Sequence, residues 1–340
     1  MNYTKSLTKP PESFNDLNKW ADYLEILCLS SEDKIITRDE IYDKLYGDKS
    51  DDETSIQTNE LEDEDSRNEI EEYKSETNGE KVDNRLSKIG DIFEFLISRK
   101  ALYEKQYPFL VTIAPKTIAL KKDVSFKQYS YLGLLLSANL DYFSYFKPEL
   151  TTNFEINSMH VFKKLFPIDA NVEYFGKGAL RGNIFSQNKL IDRIKKLAEV
   201  LNLKLSARFD EQEVGHSNTG DGGLDLIGWY DIFDDNNGKI VNFGQCACGK
   251  DWYNKQFDIH IAKWKNYIDT THPILTTLIT PTSYRKYDGS WYNNMKVYDC
   301  IIIDRLRFIR ALTKKENSKV SFVNMAMVQK VMAIEMKYFS

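Results

Sequence analysis

Two polar residues sit in stretches that otherwise read as apolar strands. In GDGGLDLIGW (220–229) Asp225 lies between Leu224 and Leu226, and in FGQCACGKDW (243–252) Gln245 lies between Gly244 and Cys246. Asp234-Asp235-Asn236-Asn237-Gly238 between them is a strong turn signal, so the two stretches predict a hairpin. Side chains alternate along a strand. With the turn centred near Asp235 or Asn236, Asp225 falls opposite Gln245 or Ala247, and either register puts Asp225 and Gln245 on one face, within reach of a single metal ion. Cys246 and Cys248 then face the other way. A carboxylate between apolar neighbours is costly unless it is paired or bound to a metal. The competing role for Asp225 is capping a turn at Gly222-Gly223.

The elements that must position these residues follow from periodicity. Asn188–Leu201 reads as an amphipathic helix, with Leu190, Ile191, Ile194, Leu197, Ala198 and Leu201 on one face. Leu203–Phe209 alternates as a half-buried strand. Strands are expected over Leu224–Tyr230, Ile240–Cys248 and Ile274–Thr280, with a helix through Phe257, Ile261, Trp264 and Ile268 between the last two. Phe154–Phe166 predicts a further helix, and Cys300–Ile303 an apolar segment leading into a terminal helical region. The fold class is therefore α/β, with one mixed central sheet.

The N-terminal part reads differently. Leu17, Trp20, Tyr23, Leu24 and Leu27 fall at helical spacing, Thr37 and Glu40 form a capping box, and Leu86, Ile89, Ile92, Phe93 and Leu96 mark another helix. Leu110–Leu120 looks extended. This predicts a mostly helical, winged-helix-like accessory domain over 1–122, a connecting helical region over 123–151, and the α/β domain over 152–340. Residues 48–83 carry a net charge of −11, so the remainder of a chain with net charge −5 is mildly basic, at +6. That tract has almost no large apolar residues and reads as a disordered insertion: a solvated linker, or a nucleic-acid mimic shielding a basic groove. With 42% hydrophobic residues the 340-residue chain can bury a sizeable core, and no apolar run is long enough to span a membrane. Four cysteines make no disulfide framework, which suits a cytoplasmic setting. Cys246-x-Cys248 has no second Cys/His pair with which to complete a four-ligand zinc site.

Residues 152–281 resemble the PD-(D/E)xK nuclease superfamily, specifically its Mrr-like restriction-endonuclease branch. GDGGLDLIGW is similar to the family's DGG-x-D second strand, and Gln245 to the variant third strand that uses Gln. The resemblance implies an αβββαβ restriction-endonuclease-like core. It also implies a metal-dependent endonuclease acting on nucleic acid, DNA above all, with Mg²⁺ or Mn²⁺ as cofactor. Asp225, Gln245, the Cys246 backbone carbonyl and a helix glutamate, Glu155, would be the ligands; Glu213 is a further carboxylate of interest. The family's lysine two residues after Gln245 is replaced by Ala247, so Lys250 or Lys255 must return a cation to the site. The alternative is a catalytically inactive nuclease-like adaptor that binds nucleic acid or a protein. By the same resemblance the context is a bacterial restriction or anti-phage defence system beside an ATPase or helicase partner. Assembly as a homo-oligomer stays open.

Overall fold

The computed structural model describes residues 7, 9–47, 78–175, 184–234, 236–313, 328–330 and 333. The chain divides into two compact units: residues 1–129 with 285–290 and 325–340, and residues 130–284 with 291–324. This differs from the expected division at 122 and 152. Residues 285–290 belong to the first unit because they pack on its helices. The Arg285 carbonyl accepts from Asn18 Nδ2 at 2.9 Å, and Tyr287 meets Phe95 edge-on at 5.1 Å.

The first unit contains α1 (Leu17–Ser30), β1 (Ile35–Thr37), α2 (Arg38–Tyr46), α3 (Asn78–Tyr103), β2 (Phe109–Ile113) and β3 (Lys116–Leu120). Its sheet is antiparallel, in the order β1-β3-β2. The apolar stripes predicted from spacing form the core: Trp20, Leu24, Leu27, Ile89, Ile92, Phe93 and Leu96 are all buried. Thr37 and Glu40 close the capping box at the start of α2. The single extended segment expected at 110–120 is instead a two-stranded hairpin. Residues 48–77 of the acidic tract lie outside the described residues. Asn78–Asp83 open α3, so the expected insertion over 48–83 is too long at its C-terminal end; helix formers upstream of Ile89 extend the helix beyond its buried stripe. Arg99, buried in α3, binds Asp22 and Glu25 at 2.5 and 3.1 Å, and the Tyr107 hydroxyl donates to Glu25 at 2.8 Å. Three polar groups in a core are tolerable because each is paired.

The second unit is a mixed five-stranded sheet. Its elements after α4 (Phe126–Ala138), whose start belongs to the first unit, are α5 (Lys147–Lys163), β4 (Asn171–Tyr174), α6 (Leu190–Val200), α7 (Glu211–Val214), β5 (Leu226–Tyr230), β6 (Ile240–Cys246), a 3₁₀ segment at Lys250–Phe257, α8 (Ile261–Lys265), β7 (Leu275–Ile279), β8 (Ile301–Ile303) and α9 (Arg305–Thr313). The strand order is β4-β5-β6-β7-β8; the first two pairings are antiparallel and the last two parallel. One face carries α5, with Phe154 stacked on Phe308 of α9. The other face carries α6 and α8, where Leu190, Ile194 and Leu197 join Ile227, Phe243 and Trp264 in one buried cluster.

Leu203–Phe209 is not a strand. Leu203 N–H donates to the Ala198 carbonyl and closes α6, with Asn202 in the left-handed region at φ 53°. Ser206 N–H then bonds Tyr267, and Asp269 N–H bonds Lys204, so this backbone is satisfied by the end of α8 and not by the sheet. The alternation of Leu203 and Phe209 reflects their contact with the core. The place beside β5 is taken by β4, which comes directly after α5. Among the described residues no helix is long and apolar enough to cross a membrane.

α5 lies close on the sheet because glycines leave room for its aromatic end. A Cβ at Gly228 would overlap the Phe166 ring, and one at Gly244 would come within 3.1 Å of Phe162. Gly228→Ala should therefore lower stability by about 1–3 kcal/mol, as overpacking does. Urea denaturation reads the loss, and an unchanged midpoint would mean that α5 is not seated as described.

Candidate functional site

The chain reaches Asp225 through a passage that only glycine can make. Gly222 and Gly223 have φ of 68° and 82°, the left-handed region where a side chain is strained. A Cβ at Gly222 would press on Trp264, and one at Gly223 would overlap the Asp258 backbone. Upstream, the buried Arg193 of α6 donates through Nη2 to the carbonyls of Thr219 and Gly220, at 2.9 and 2.7 Å. Asp221 Oδ1 accepts from Gly223 N–H at 2.8 Å. The turn is thus capped by Asp221, and Asp225 is left for another role.

Asp225 continues the ladder of β5. Its N–H donates to Gly244 at 3.0 Å and its carbonyl accepts from Phe175 at 2.8 Å. With Leu226 paired to Gly244, the register sets Asp225 opposite Gln245, one of the two positions derived from the turn. Gln245 is buried, and its Oε1 has no hydrogen-bond partner among the described residues. Asp225 Oδ2 accepts from Cys246 N–H at 2.7 Å. The Asp225 side chain is closely surrounded by protein yet keeps partial access to solvent. That enclosure pushes its carboxyl up to about 7; the Cys246 N–H opposes the rise, Asp221 and Glu155 add to it, and Lys255 counters it.

Glu155 comes from the middle of α5 and is half-buried. Burial, with Asp221 adding to it, raises its carboxyl. Asp225, Asp221 and Glu155 therefore form one field of negative charge built from α5 and the glycine turn. Asp221 thus both caps the turn and adds charge to the site, and its place in the same GDGG-x-D run as Asp225 is the sequence signal for the second role. Glu213 lies in α7 and is not among the charges acting on Asp225.

The two lysines differ. The side chain of Lys250 lies outside what is described, although its backbone opens the 3₁₀ segment. Lys255, in the same segment, bonds Asp258 at 2.7 Å and is raised, first by that bond, with Asp225 and Asp221 contributing. It stays protonated and its charge reaches the site. Ala247 is buried among Trp252, Leu278 and Ile302 and supplies nothing polar. Burial first, then the Asp225 charge, push the thiols of Cys246 and Cys248 well up, so neither is a thiolate nucleophile at neutral pH. The Cys246 thiol is close enough to Ser158 of α5 for that hydroxyl to oppose part of its rise, which fits its expected turn away from Gln245.

Among the described residues no group of three or more His, Cys, Asp or Glu is close enough to hold a metal by itself. The donor set that does exist is hard oxygen: the enclosed Asp225 carboxylate and the unpartnered Gln245 amide oxygen, with Glu155 at the margin. That set fits Mg²⁺, which takes one or two carboxylates and keeps several waters. Comparison with protein-family models, curated proteins and solved structures returned no match.

The raised carboxyl has a consequence for stability. Asp225 holds a proton in the folded state that the unfolded chain, with its carboxyl at 3.8, releases. Stability should fall as pH rises from about 4 to about 7 and level off above. Asp225→Asn removes that penalty. The variant should match wild type near pH 4 and exceed it near pH 8 by on the order of 2 kcal/mol, allowing for the carboxyl's access to water. Denaturant midpoints without divalent ions measure this, and a variant that is no more stable at high pH would refute it.

Proposed function

We propose that this protein is a metal-dependent nuclease that hydrolyses phosphodiester bonds, with DNA as the favoured substrate. The observation that carries the reading is the register that sets Asp225, an enclosed carboxylate, opposite Gln245, a buried amide whose oxygen has no hydrogen-bond partner among the described residues. The order α5-β4-β5-β6-α8-β7 supports it, because it is the αβββαβ order of PD-(D/E)xK nucleases once α6 and α7 are taken as an insertion. In the first unit the order α1-β1-α2-α3-β2-β3, with sheet order β1-β3-β2, resembles a winged helix and supports an accessory role in binding nucleic acid.

In this reading Asp225, Gln245, Glu155 and the Cys246 carbonyl hold Mg²⁺ or Mn²⁺. When bound, such an ion polarises a phosphoryl oxygen and lowers the pKa of an attacking water. The chain's own residues do the rest. A bound cation would favour the ionised form of Asp225 against the burial that raises it and against Asp221 and Glu155. Glu155, raised by burial, is a stronger base toward a water than a solvated carboxylate. Lys255 is held protonated by Asp258, so it stabilises negative charge at the phosphate and does not abstract a proton.

One observation favours a second reading: buried Ala247 stands where the family has lysine, as an inactive nuclease-like adaptor would allow. Cleavage of a panel of nucleic acids with Mg²⁺ or Mn²⁺ separates the two. Wild type should cut and Asp225→Asn should not. Lys255→Met should lose about 10²–10³-fold in rate while still binding the ion by calorimetry. If wild type cuts nothing with either metal, the adaptor reading stands; if Lys255→Met cuts at the wild-type rate, Lys255 has no part in the reaction.

A further inference from the structure

The segment that carries Lys255 also carries an exposed aromatic surface with no part in the scheme above. Phe257 and Tyr298 are 50% and 47% exposed, with ring centroids 5.0 Å apart. Tyr253 stands 6.1 Å from Phe257 and 6.2 Å from Tyr298. These rings are not loosely placed. Gln256 is buried beside them, and its Nε2 donates to the carbonyls of Tyr253 and Lys296, both at 3.1 Å. Its Oε1 accepts from Tyr298 N–H at 3.2 Å, and the Tyr253 and Tyr298 hydroxyls bond at 3.3 Å. One buried amide thus fastens the 3₁₀ segment to the turn at 294–298. The Lys296 ammonium lies 5.7 Å from the Tyr253 ring centroid and puts a positive charge at the rim.

The surface adjoins the candidate site through the chain itself. Asp258, the residue after Phe257, holds Lys255, and its backbone abuts Gly223, two residues before Asp225. We propose that Phe257, Tyr298 and Tyr253 form a stacking platform for the bases of single-stranded nucleic acid, and that the strand's phosphates lie along Lys296 toward the Asp225 site. The proposal rests on the nuclease reading for the direction of the strand and gives it a substrate class. Three physical points favour this occupant. A single strand exposes base faces, whereas a duplex keeps them stacked inside. Rings already fixed by Gln256 lose little conformational freedom on binding. An ammonium at an aromatic rim suits a ligand that alternates base and phosphate.

The test is fluorescence anisotropy of the full chain in chelator, so that binding is read apart from cleavage. The probes are a fluorescein-labelled single strand without self-complementarity and the duplex made from it. Wild type should bind the single strand more tightly. The double variant Phe257→Leu/Tyr298→Leu, which keeps apolar volume and loses the ring faces, should bind it about 10–100-fold more weakly. Phe257→Trp should retain affinity, which a merely structural role for the ring would not predict, and circular dichroism checks that each variant folds. Unchanged affinity in the double variant would overturn the proposal, as would failure of wild type to bind the single strand. So would a double variant that turns an oligomer into a monomer without altering oligonucleotide binding, because the rings would then be a protein contact. Strand binding that depends on the rings, without cleavage in any divalent metal, would count against the nuclease reading alone and leave the platform standing.

Discussion

The convergence of Asp221, Asp225 and Glu155 is the constraint around which the second unit is arranged. Like charges brought together in an enclosed place repel: burial raises the Asp225 and Glu155 carboxyls, Asp221 adds to both, and Glu155 adds to Asp225. A fold that places them so must offset the cost elsewhere. It does so through the apolar cluster of α6, α8 and the sheet, and through Arg193, which holds the incoming loop by two carbonyls. Lys255 is a described cation whose charge reaches Asp225, and it is shared with Asp258. The local deficit of positive charge is what a divalent ion would fill.

Holding these groups in place depends on close backbone approach. Gly228 and Gly244 let Phe162 of α5 and Phe166 just beyond it lie on the sheet, two turns along from Glu155. Gly222 and Gly223 let the turn pass beneath Trp264 and against Asp258. Two helices and a turn from separate stretches of the chain are thereby packed around β5 and β6. Substituting any of these glycines would move a charge relative to its neighbours as well as displace a contact.

Much of this was legible in the sequence, and the exceptions have physical causes. The hairpin of β5 and β6 could be placed because its turn is chemically explicit and period-two alternation fixes which residues share a face; Asp225 and Gln245 followed directly. The helix α6 was readable from its stripe. Leu203–Phe209 misled because alternation reports one-sided contact, and contact with α8 produces the same pattern as membership of a sheet. β4 was missed because Asn-Val-Glu-Tyr is short and half polar, as an edge strand can be. The difference between Lys255 and Glu213 depends on tertiary proximity that spacing does not encode. The buried Arg99 network was likewise invisible, because three separated polar residues give no periodic signal.

Alanine at position 247, just past the end of β6, has a structural logic of its own. A lysine there would put its ammonium among Trp252, Leu278 and Ile302, where Ala247 completes an apolar layer. With the cation on the 3₁₀ segment instead, its position is set by Asp258, and Asp258 is set by contact with the Gly223 turn. The same short segment ends in Phe257, whose neighbour Gln256 anchors it to the turn at 294–298. Cation, aromatic surface and glycine turn are therefore joined through one short stretch of chain: Asp258 ties Lys255 to the turn that leads into Asp225, and Gln256 ties the rings to residues 294–298.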